Sequence, residues 1–163
     1  DAPQLTRAFV ARAHCGDVDE LFYKMYREEL TYADLEPMAR IVFDVAHDGS
    51  PVACDILEWG GRYLAEMVNA VARQLDMCRD TFDVVMAGSV FKGRSPVLID
   101  MMRTRIHREC PEARLVMPAF EPVVGGLLLG MELAGPVSEA VYDTLTEELD
   151  TAAARYGIAF RSQ

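Results

Sequence analysis

The turn that follows Ala87 is the first place in the chain where residue types and spacing could bring a ligand to the backbone. An apolar stretch rich in β-branched residues, Thr81–Ala87, is followed at once by Gly88 and Ser89. Ligands of open α/β sheets gather at the carboxyl ends of parallel strands, and a glycine there removes the Cβ that would block a ring or a phosphate. Turn geometry alone explains the same glycine, so both interpretations stay open at this point.

The same residues also come close to a phosphate-binding loop. Gly88–Ser95 fits the pattern GxxxxGK[ST] except that Arg94 replaces the lysine. Arginine is bulkier than lysine and is not a compact point charge, and Pro96 lacks the backbone N–H that such a loop would offer. The next predicted strand, Arg114–Met117, ends at Pro118 with no carboxylate for Mg²⁺. We therefore disfavour a phosphate-binding loop here.

A second cluster of glycines lies in the strongly apolar stretch Glu121–Gly130. Glycine is costly inside a helix, and tight packing is a sufficient reason for Gly130. Gly125 and Gly126 fall instead in the first turn of a predicted helix, where free N–H groups and the positive end of the helix dipole attract ligands. This pair is therefore a second candidate for a ligand contact.

Helices precede both glycine clusters along the chain. Asp17 is a predicted helix cap, Glu36–Pro37 begins a second helix, and Ser50–Pro51 begins a third that runs to about Leu75. Within this third helix, Gly60–Gly61 is expected to permit close packing against a neighbour. The apolar spacing of the third helix predicts an inward face made of Val52, Ile56, Tyr63, Met67, Val71 and Leu75.

Strands alternate with helices in the second half of the chain. Thr81–Ala87 has the composition of a strand that is buried on both faces, and Glu112–Pro118 is a second short strand. Ser95–Pro96, Glu121 and Ser138 mark the starts of three helices.

The predicted sheet has only two parallel strands, which are too few to bury both of its faces. Either this assignment misses strands, or the remaining strands lie outside this chain. The chain would then be one partial domain, with a helical segment over residues 1–76 and a strand–helix–strand–helix segment over residues 77–163.

Composition excludes several classes of protein. The chain has 163 residues and a net charge of −10, which disfavours binding to nucleic acid or to an anionic membrane. Apolar runs stay below the ~18 residues that a membrane helix needs. The cysteines stand far apart at Cys15, Cys54, Cys78 and Cys110, which predicts free thiols in a reducing cytoplasm and no metal site.

The stretch Phe82–Gly135 resembles the C-terminal part of the BadF/BadG/BcrA/BcrD ATPase family, within the actin/hexokinase/Hsp70 superfamily. In that family a strand ending in Gly-Ser-Val meets adenosine, and Val84–Leu98, VVMAGSVFKGRSPVL, is similar to that segment. The start of a later helix forms the other wall of the adenine pocket, and Pro122–Gly126 resembles it. The helical stretch Ala39–Val71 is also similar to the family.

The resemblance implies a helix-rich α/β fold, the C-terminal lobe of an actin-like ATPase of the ribonuclease H-like type, with few parallel strands flanked by helices. It implies ATP-binding by Gly88, Ser89, Val90, Gly125 and Gly126. The form Gly-Ser-Val-x-Lys looks like the N-acetylglucosamine kinases of this family, so the implied activity is phosphoryl transfer from ATP with Mg²⁺ to an amino sugar.

Other features of the family have no match in this chain. Neither the first phosphate hairpin, of the type Asp-Gly-Gly-x-[ST]-[KR], nor the second phosphate motif, nor the catalytic aspartate of sugar kinases is found. We therefore expect an N-terminal lobe, absent here, to hold the catalytic residues and most of the contacts to magnesium. This chain alone would then have no catalytic residue and no metal ligand, and it would be inactive.

Two alternatives remain beside the kinase. One is an activator ATPase of a radical dehydratase, which would hold a [4Fe–4S] cluster between subunits through cysteines. The other is a non-catalytic helical module that binds a protein. The expected partners of the kinase are ATP or ADP and a sugar, in the cytoplasm, without nucleic acid or membrane, and a homodimer is compatible with this prediction.

Overall fold

The computed structural model describes residues 3–156. This part of the chain contains seven α-helices, a turn of 3₁₀ helix at Ser89–Lys92 and two short strands. The helices are α1 (Pro3–Arg12), α2 (Val18–Tyr26), α3 (Tyr32–His47), α4 (Pro51–Gln74), α5 (Val97–Glu109), α6 (Pro122–Ala134) and α7 (Glu139–Tyr156). The strands are β1 (Asp83–Val85) and β2 (Arg114–Val116).

These elements form two compact units. Within the described residues, the first unit comprises residues 3–82 and Ser89–Arg114, and the second comprises Asp83–Gly88 and residues 115–156. The first unit therefore contains α1 to α5 and the 3₁₀ turn, and α4 packs mainly against α5 and α3. Among the described residues, no helix is both long enough and apolar enough to cross a lipid bilayer.

Local signals set most of the helix starts in the first unit. Asp17 caps α2 as predicted, because its carboxylate accepts from the N–H of Glu20 at 2.8 Å. Ser50 likewise caps α4, and Pro51 occupies the first helical position. The start of α5 is one residue later than predicted: Pro96 is its cap residue, and Ser95 is buried just before it.

The predicted start of α3 at Glu36–Pro37 is wrong. The helix begins at Tyr32, because the Asp34 carboxylate accepts hydrogen bonds from the N–H and the hydroxyl of Thr31, at 2.8 and 2.7 Å. This capping box fixes the first turn five residues before the proline. Pro37 is the sixth residue of the helix, so α3 lacks the hydrogen bond that an N–H at this position would donate to the carbonyl of Ala33. The hydrogen bonds from Thr31 also hold the pKa of Asp34 below its usual range.

The predicted inward face of α4 is also wrong. Tyr63, Met67, Val71 and Leu75 are more than half exposed, and Ile56 is 42% exposed. The buried face consists instead of Ala53, Leu57, Gly61, Ala65, Asn69 and Ala72. These mostly small residues form the buried face because they allow the backbone of α4 to approach α5 closely. A Cβ on Gly61 would lie 2.5 Å from the carbonyl oxygen of Leu98.

A buried polar group fixes the register of α4 against α5. The Nδ2 of Asn69, a residue that is 1% exposed, donates to the carbonyl of Arg105 at 3.3 Å and to Oε1 of Glu109 at 3.2 Å. The Cys110 thiol donates to Oδ1 of Asn69 at 3.9 Å, and Arg73 pairs with Glu109 at the edge of the contact. Each buried polar atom of Asn69 thus has a partner, which is the usual condition for burying such a group.

The second unit is built around the strands. Their ladder is parallel, and the N–H of Met86 donates to the carbonyl of Val116 at 2.9 Å. The strands are shorter than predicted, and the expectation that the first is buried on both faces is wrong: Asp83 and Val85 are exposed. A sheet of two strands has no central strand that could be covered in this way. In α6 only Val124 is buried.

Candidate functional site

A cavity of about 760 Å³ lies in the first unit, between α3 and the segment Ser89–Arg94. Ser89 and Val90, two of the residues predicted from the sequence, form part of its wall. The opposite wall comes from successive turns of α3. The lining residues from α3 are Tyr32, Leu35, Glu36, Pro37, Ala39, Arg40, Phe43 and Asp44.

The contact of Gly93 with Phe43 brings the two walls together. An added Cβ at Gly93 would overlap the ring of Phe43, so no larger side chain fits here without displacing the ring. Phe43 is 6% exposed, and its ring therefore anchors α3 to the loop that follows the 3₁₀ turn. This contact places Ser89 and Val90 beside α3, where both remain exposed.

Gly88 precedes this wall and has a backbone conformation that favours glycine. Its φ is +121°, in the region that side chains with a Cβ rarely adopt. An added Cβ would meet no atom within 4 Å, so the need for glycine comes from the backbone and not from crowding. The space beside Gly88 is open, as a ligand approaching the backbone would require.

The cavity has a different charge balance from the rest of the protein. Three cationic side chains line it, those of Arg40, Lys92 and Arg94, against two carboxylates, those of Glu36 and Asp44. The cavity wall therefore carries a formal charge of +1, whereas the whole chain carries −10. A local excess of cations in a concave surface attracts anions.

Arg94 extends across the cavity wall toward α3. Its guanidinium lies 3.9 Å from Oδ1 of Asp44, and both side chains remain substantially exposed. The residues before it, Ser89–Lys92, form a turn of 3₁₀ helix, and α5 begins only at Val97. Arg94 and Ser95, which would hold the places of the lysine and the hydroxyl residue of a phosphate-binding loop, thus lie before the start of α5, and this agrees with our preference against such a loop.

The second glycine pair lies in the second unit, in the first turns of α6. An added Cβ on Gly125 or Gly126 would meet no atom within 4 Å, so tight packing does not explain either residue. The N–H groups of Val124 and Gly125 both point back to the carbonyl of Glu121, at 2.9 and 3.4 Å. The argument for a ligand at this pair therefore rests on its open backbone surface more than on free amides.

The sequence did not reveal the contribution of α3 to the cavity. Phe43, Arg40 and Tyr32 looked like ordinary residues of an amphipathic helix, and Gly93 was considered only as part of a phosphate-loop pattern. One signal was present: Gly93 is a glycine in a strand-to-helix loop that no turn type requires, and such a glycine often marks a close approach.

Residues 6–130 match the BadF/BadG/BcrA/BcrD ATPase family, and the chain belongs to this family. No curated protein and no solved structure matches the chain. The family assignment confirms the resemblance seen in the sequence, and with it the helix-rich α/β class of an actin-like ATPase fold. Membership in an ATPase family implies nucleotide binding.

Proposed function

We propose that this chain forms the adenosine-binding part of an ATP-dependent sugar kinase that acts on N-acetylglucosamine or a related amino sugar. The observation that supports it best is the position of Ser89 and Val90 in the wall of the 760 Å³ cavity. Two residues of the segment that resembles the family's adenosine contact thus line a concave space. Membership in an ATPase family supports ATP as the bound nucleotide. The form Gly-Ser-Val-x-Lys supports an amino sugar as the substrate.

The cavity has the size and chemistry that an adenine nucleotide needs. Binding pockets for small molecules usually measure about 300–1,000 Å³ and combine apolar walls with a few polar groups. Here Tyr32, Leu35 and Val90 supply apolar surface, and Arg40 and Lys92 supply positive charge. We assign the apolar surface to the adenine and ribose and the cations to the phosphates.

Gly88, Gly125 and Gly126 contribute backbone rather than side chains in this proposal. Each has open space where a Cβ would lie, so a flat ring or a ribose can approach the main chain at van der Waals distance. Gly88 lies directly before the cavity wall in the sequence, and the α6 pair is proposed as a further nucleotide contact.

Bound ATP would supply the phosphoryl group, and the Mg²⁺ that accompanies it would neutralise the charge of the phosphates. No residue of this chain is assigned as catalytic base or magnesium ligand. The task of the residues named above is to bind and orient the nucleotide, and orientation is a large part of catalysis in phosphoryl transfer.

A matched pair of substitutions on α3 tests the location of the nucleotide. Ala39 lines the cavity, whereas Ala33 is exposed on the same helix and does not line it. Ala39→Leu should fill part of the cavity and weaken ATP binding, measured by isothermal titration calorimetry, by tenfold or more. Ala33→Leu should bind ATP as the unchanged protein does. Equal affinities in the two variants would place the nucleotide elsewhere.

A second experiment tests whether an amino sugar is the phosphoryl acceptor. The complete protein is incubated with ATP and Mg²⁺, and release of ADP is measured with and without N-acetylglucosamine. The proposal predicts that the sugar raises the rate at least tenfold and that a sugar phosphate accumulates. Sugar-independent hydrolysis would favour an activator ATPase, and absence of nucleotide binding would favour a protein-binding module.

A further inference from the structure

Two of the four cysteines lie side by side in the first unit. The thiols of Cys78 and Cys110 share a hydrogen bond, although these residues are 32 positions apart in the sequence. The thiols of Cys15 and Cys54 donate instead to nearby backbone carbonyls, at 3.4 and 3.7 Å. A disulfide needs two cysteines whose positions in the fold are already close. Cys78 and Cys110 meet this condition.

The backbone explains why these two thiols meet. The N–H of Arg114 donates to the carbonyl of Phe82 at 2.8 Å. Cys78 lies four residues before Phe82, and Cys110 lies four residues before Arg114. Both stretches lead into strands that run parallel. Positions at equal distances before the hydrogen bond therefore lie near each other.

The packing of α4 on α5 holds both cysteines in place. Cys78 follows the C-terminal end of α4, and Cys110 is the residue that ends α5. The Cys110 thiol also donates to Oδ1 of Asn69 at 3.9 Å, and Asn69 in turn binds the last turns of α5. The Nε2 of His107 lies 2.8 Å from the carbonyl oxygen of Ala113, across the turn that begins at Cys110. A disulfide would thus join two helix ends that are already in contact.

The two thiols differ in their access to solvent. Cys78 is half-buried, whereas Cys110 is 0% exposed. A small oxidant in solution therefore reaches Cys78 first, and Cys110 is placed to react with the product. Such a pairing of an accessible thiol with a neighbouring second thiol is typical of cysteines that are oxidised reversibly.

Hydrogen peroxide is an oxidant small enough for this route. The thiolate of Cys78 attacks one peroxide oxygen, the O–O bond breaks, and a sulfenic acid and one water form. The sulfur of Cys110, after losing its proton, attacks the Cys78 sulfur. The S–S bond forms as the S–O bond breaks, and the hydroxyl leaves with that proton as a second water. The two thiols together lose two electrons and two protons, and the peroxide is reduced to two waters.

We propose that Cys78 and Cys110 form a redox pair that closes reversibly to a disulfide when the protein meets hydrogen peroxide. The bond closes a loop over residues 79–109, which includes the segment Ser89–Arg94 in the wall of the 760 Å³ cavity. Closing such a loop stabilises the folded protein because it restricts the unfolded chain. The proposal does not depend on which ligand the cavity binds.

Peptide mapping of the oxidised protein tests the proposal. The complete protein is treated with hydrogen peroxide, its remaining thiols are alkylated, and it is digested without reduction for mass spectrometry. We expect a peptide that joins Cys78 to Cys110 and that disappears after treatment with dithiothreitol. Cys54→Ser is the matched control for Cys78→Ser, because both cysteines are half-buried. The linked peptide should persist in Cys54→Ser and be absent from Cys78→Ser.

Thermal unfolding shows whether the bond forms in the folded structure. Peroxide should raise the Tm of the unchanged protein and of Cys54→Ser by roughly 5 °C or more, and dithiothreitol should reverse the rise. The Tm of Cys78→Ser should not rise. A bond that leaves the Tm unchanged or lowers it would show that the folded structure must be distorted to form it.

Three results of the mapping would overturn the proposal. Oxidation of Cys78 to a sulfinic acid, with Cys110 still a free thiol, would show that the two sulfurs do not react. A bond from Cys78 to Cys15 or Cys54 would show that the fold does not select the pair. A bond that forms equally well in urea-unfolded protein would show the same.

Discussion

Gly93 lies against the ring of Phe43 so closely that a single added methyl group would overlap it. The contact joins two stretches that are 50 residues apart in sequence, α3 and the loop between the 3₁₀ turn and α5. Both stretches line the candidate nucleotide cavity. The packing of one glycine therefore determines the shape of the proposed site.

We predict that Gly93→Ala lowers the free energy of unfolding and weakens ATP binding together. Forcing a methyl group into a filled contact typically costs about 1–3 kcal/mol, and here the displaced ring is part of the cavity wall. Urea unfolding and calorimetric ATP titration measure the two effects. The double variant Gly93→Ala with Phe43→Leu should lose less stability than the sum of the single changes, since the smaller side chain leaves room. If the double variant loses as much stability as the two single variants together, the two residues do not compete for space.

The neighbouring glycines of α4 should respond in opposite ways to alanine. A Cβ at Gly61 would lie 2.5 Å from the Leu98 carbonyl oxygen, so Gly61→Ala should separate α4 from α5 and destabilise the protein by roughly 1–3 kcal/mol. A Cβ at Gly60 would meet only Cδ1 of Leu98, at 3.7 Å. Gly60→Ala should therefore raise stability by up to about 1 kcal/mol through helix propensity. Thermal unfolding measures the stability of both variants. Equal changes in stability would contradict the packing described for α4.

Asn69→Leu should be costly although it replaces a buried polar group with an apolar one. The substitution leaves the Arg105 carbonyl and the Glu109 carboxylate without the donor that Asn69 supplies. A buried polar group that loses a partner costs about 1–3 kcal/mol, and this applies to the Arg105 carbonyl, whereas the exposed Glu109 keeps its pair with Arg73. Arg103→Ala, which removes only an exposed pair with Asp100, should cost less than about 1 kcal/mol. Urea unfolding measures the loss of stability in the two variants. If Asn69→Leu costs no more than Arg103→Ala, the hydrogen bonds of Asn69 do not hold α4 to α5.

Cys110 gives the protein a dependence on alkaline pH. Burial, with a smaller effect from the Cys78 thiol beside it, raises the pKa of the Cys110 thiol to about 11 from an ordinary value of 9.0. Above pH 9 the unfolded chain releases this proton while the folded chain keeps it, so the stability that the neutral thiol contributes is lost progressively as the pH rises toward 11.

The difference in unfolding free energy between the unchanged protein and Cys110→Ala should therefore shrink from pH 8 to pH 10.5. Urea unfolding at several pH values measures it. Ile106→Val, a buried change that involves no titratable group, is the control, and its difference from the unchanged protein should not depend on pH. A constant difference for Cys110→Ala would show that the thiol is not protected by burial.

The order of elements could be read from the sequence because local signals set it. Asp17 and Ser50–Pro51 mark helix starts in the residues themselves, and the glycine at position 88 marks the end of the first strand. Such caps and turns depend on only a few neighbouring residues. The sequence predicted a later start for α3 because proline is typical of the first helical turn. The capping box of Thr31 and Asp34 sets the actual start.

The buried face of α4 could not be read in the same way. Hydrophobic spacing marked Tyr63 and Met67 as inward, although the helix buries alanines, Gly61 and Asn69 instead. Periodicity finds the apolar side of a helix but does not say whether its own chain or a partner covers that side. Ser89 and Val90, which the sequence proposed as nucleotide contacts, line the cavity, whereas its wall from α3 depends on a contact between distant residues that no local pattern encodes.

Photolabelling with an ATP analogue that carries an azide on the adenine tests the central claim most directly. The label is placed on the protein by irradiation and mapped by mass spectrometry of peptides. The account predicts adducts within Tyr32–Asp44 or Ser89–Arg94, suppressed by excess unlabelled ATP. A second cavity, of about 510 Å³ and lined by residues between Thr6 and Val18, provides an internal comparison. Adducts confined to that region, or labelling that excess ATP does not suppress, would contradict the assignment of Ser89 and Val90 to the nucleotide.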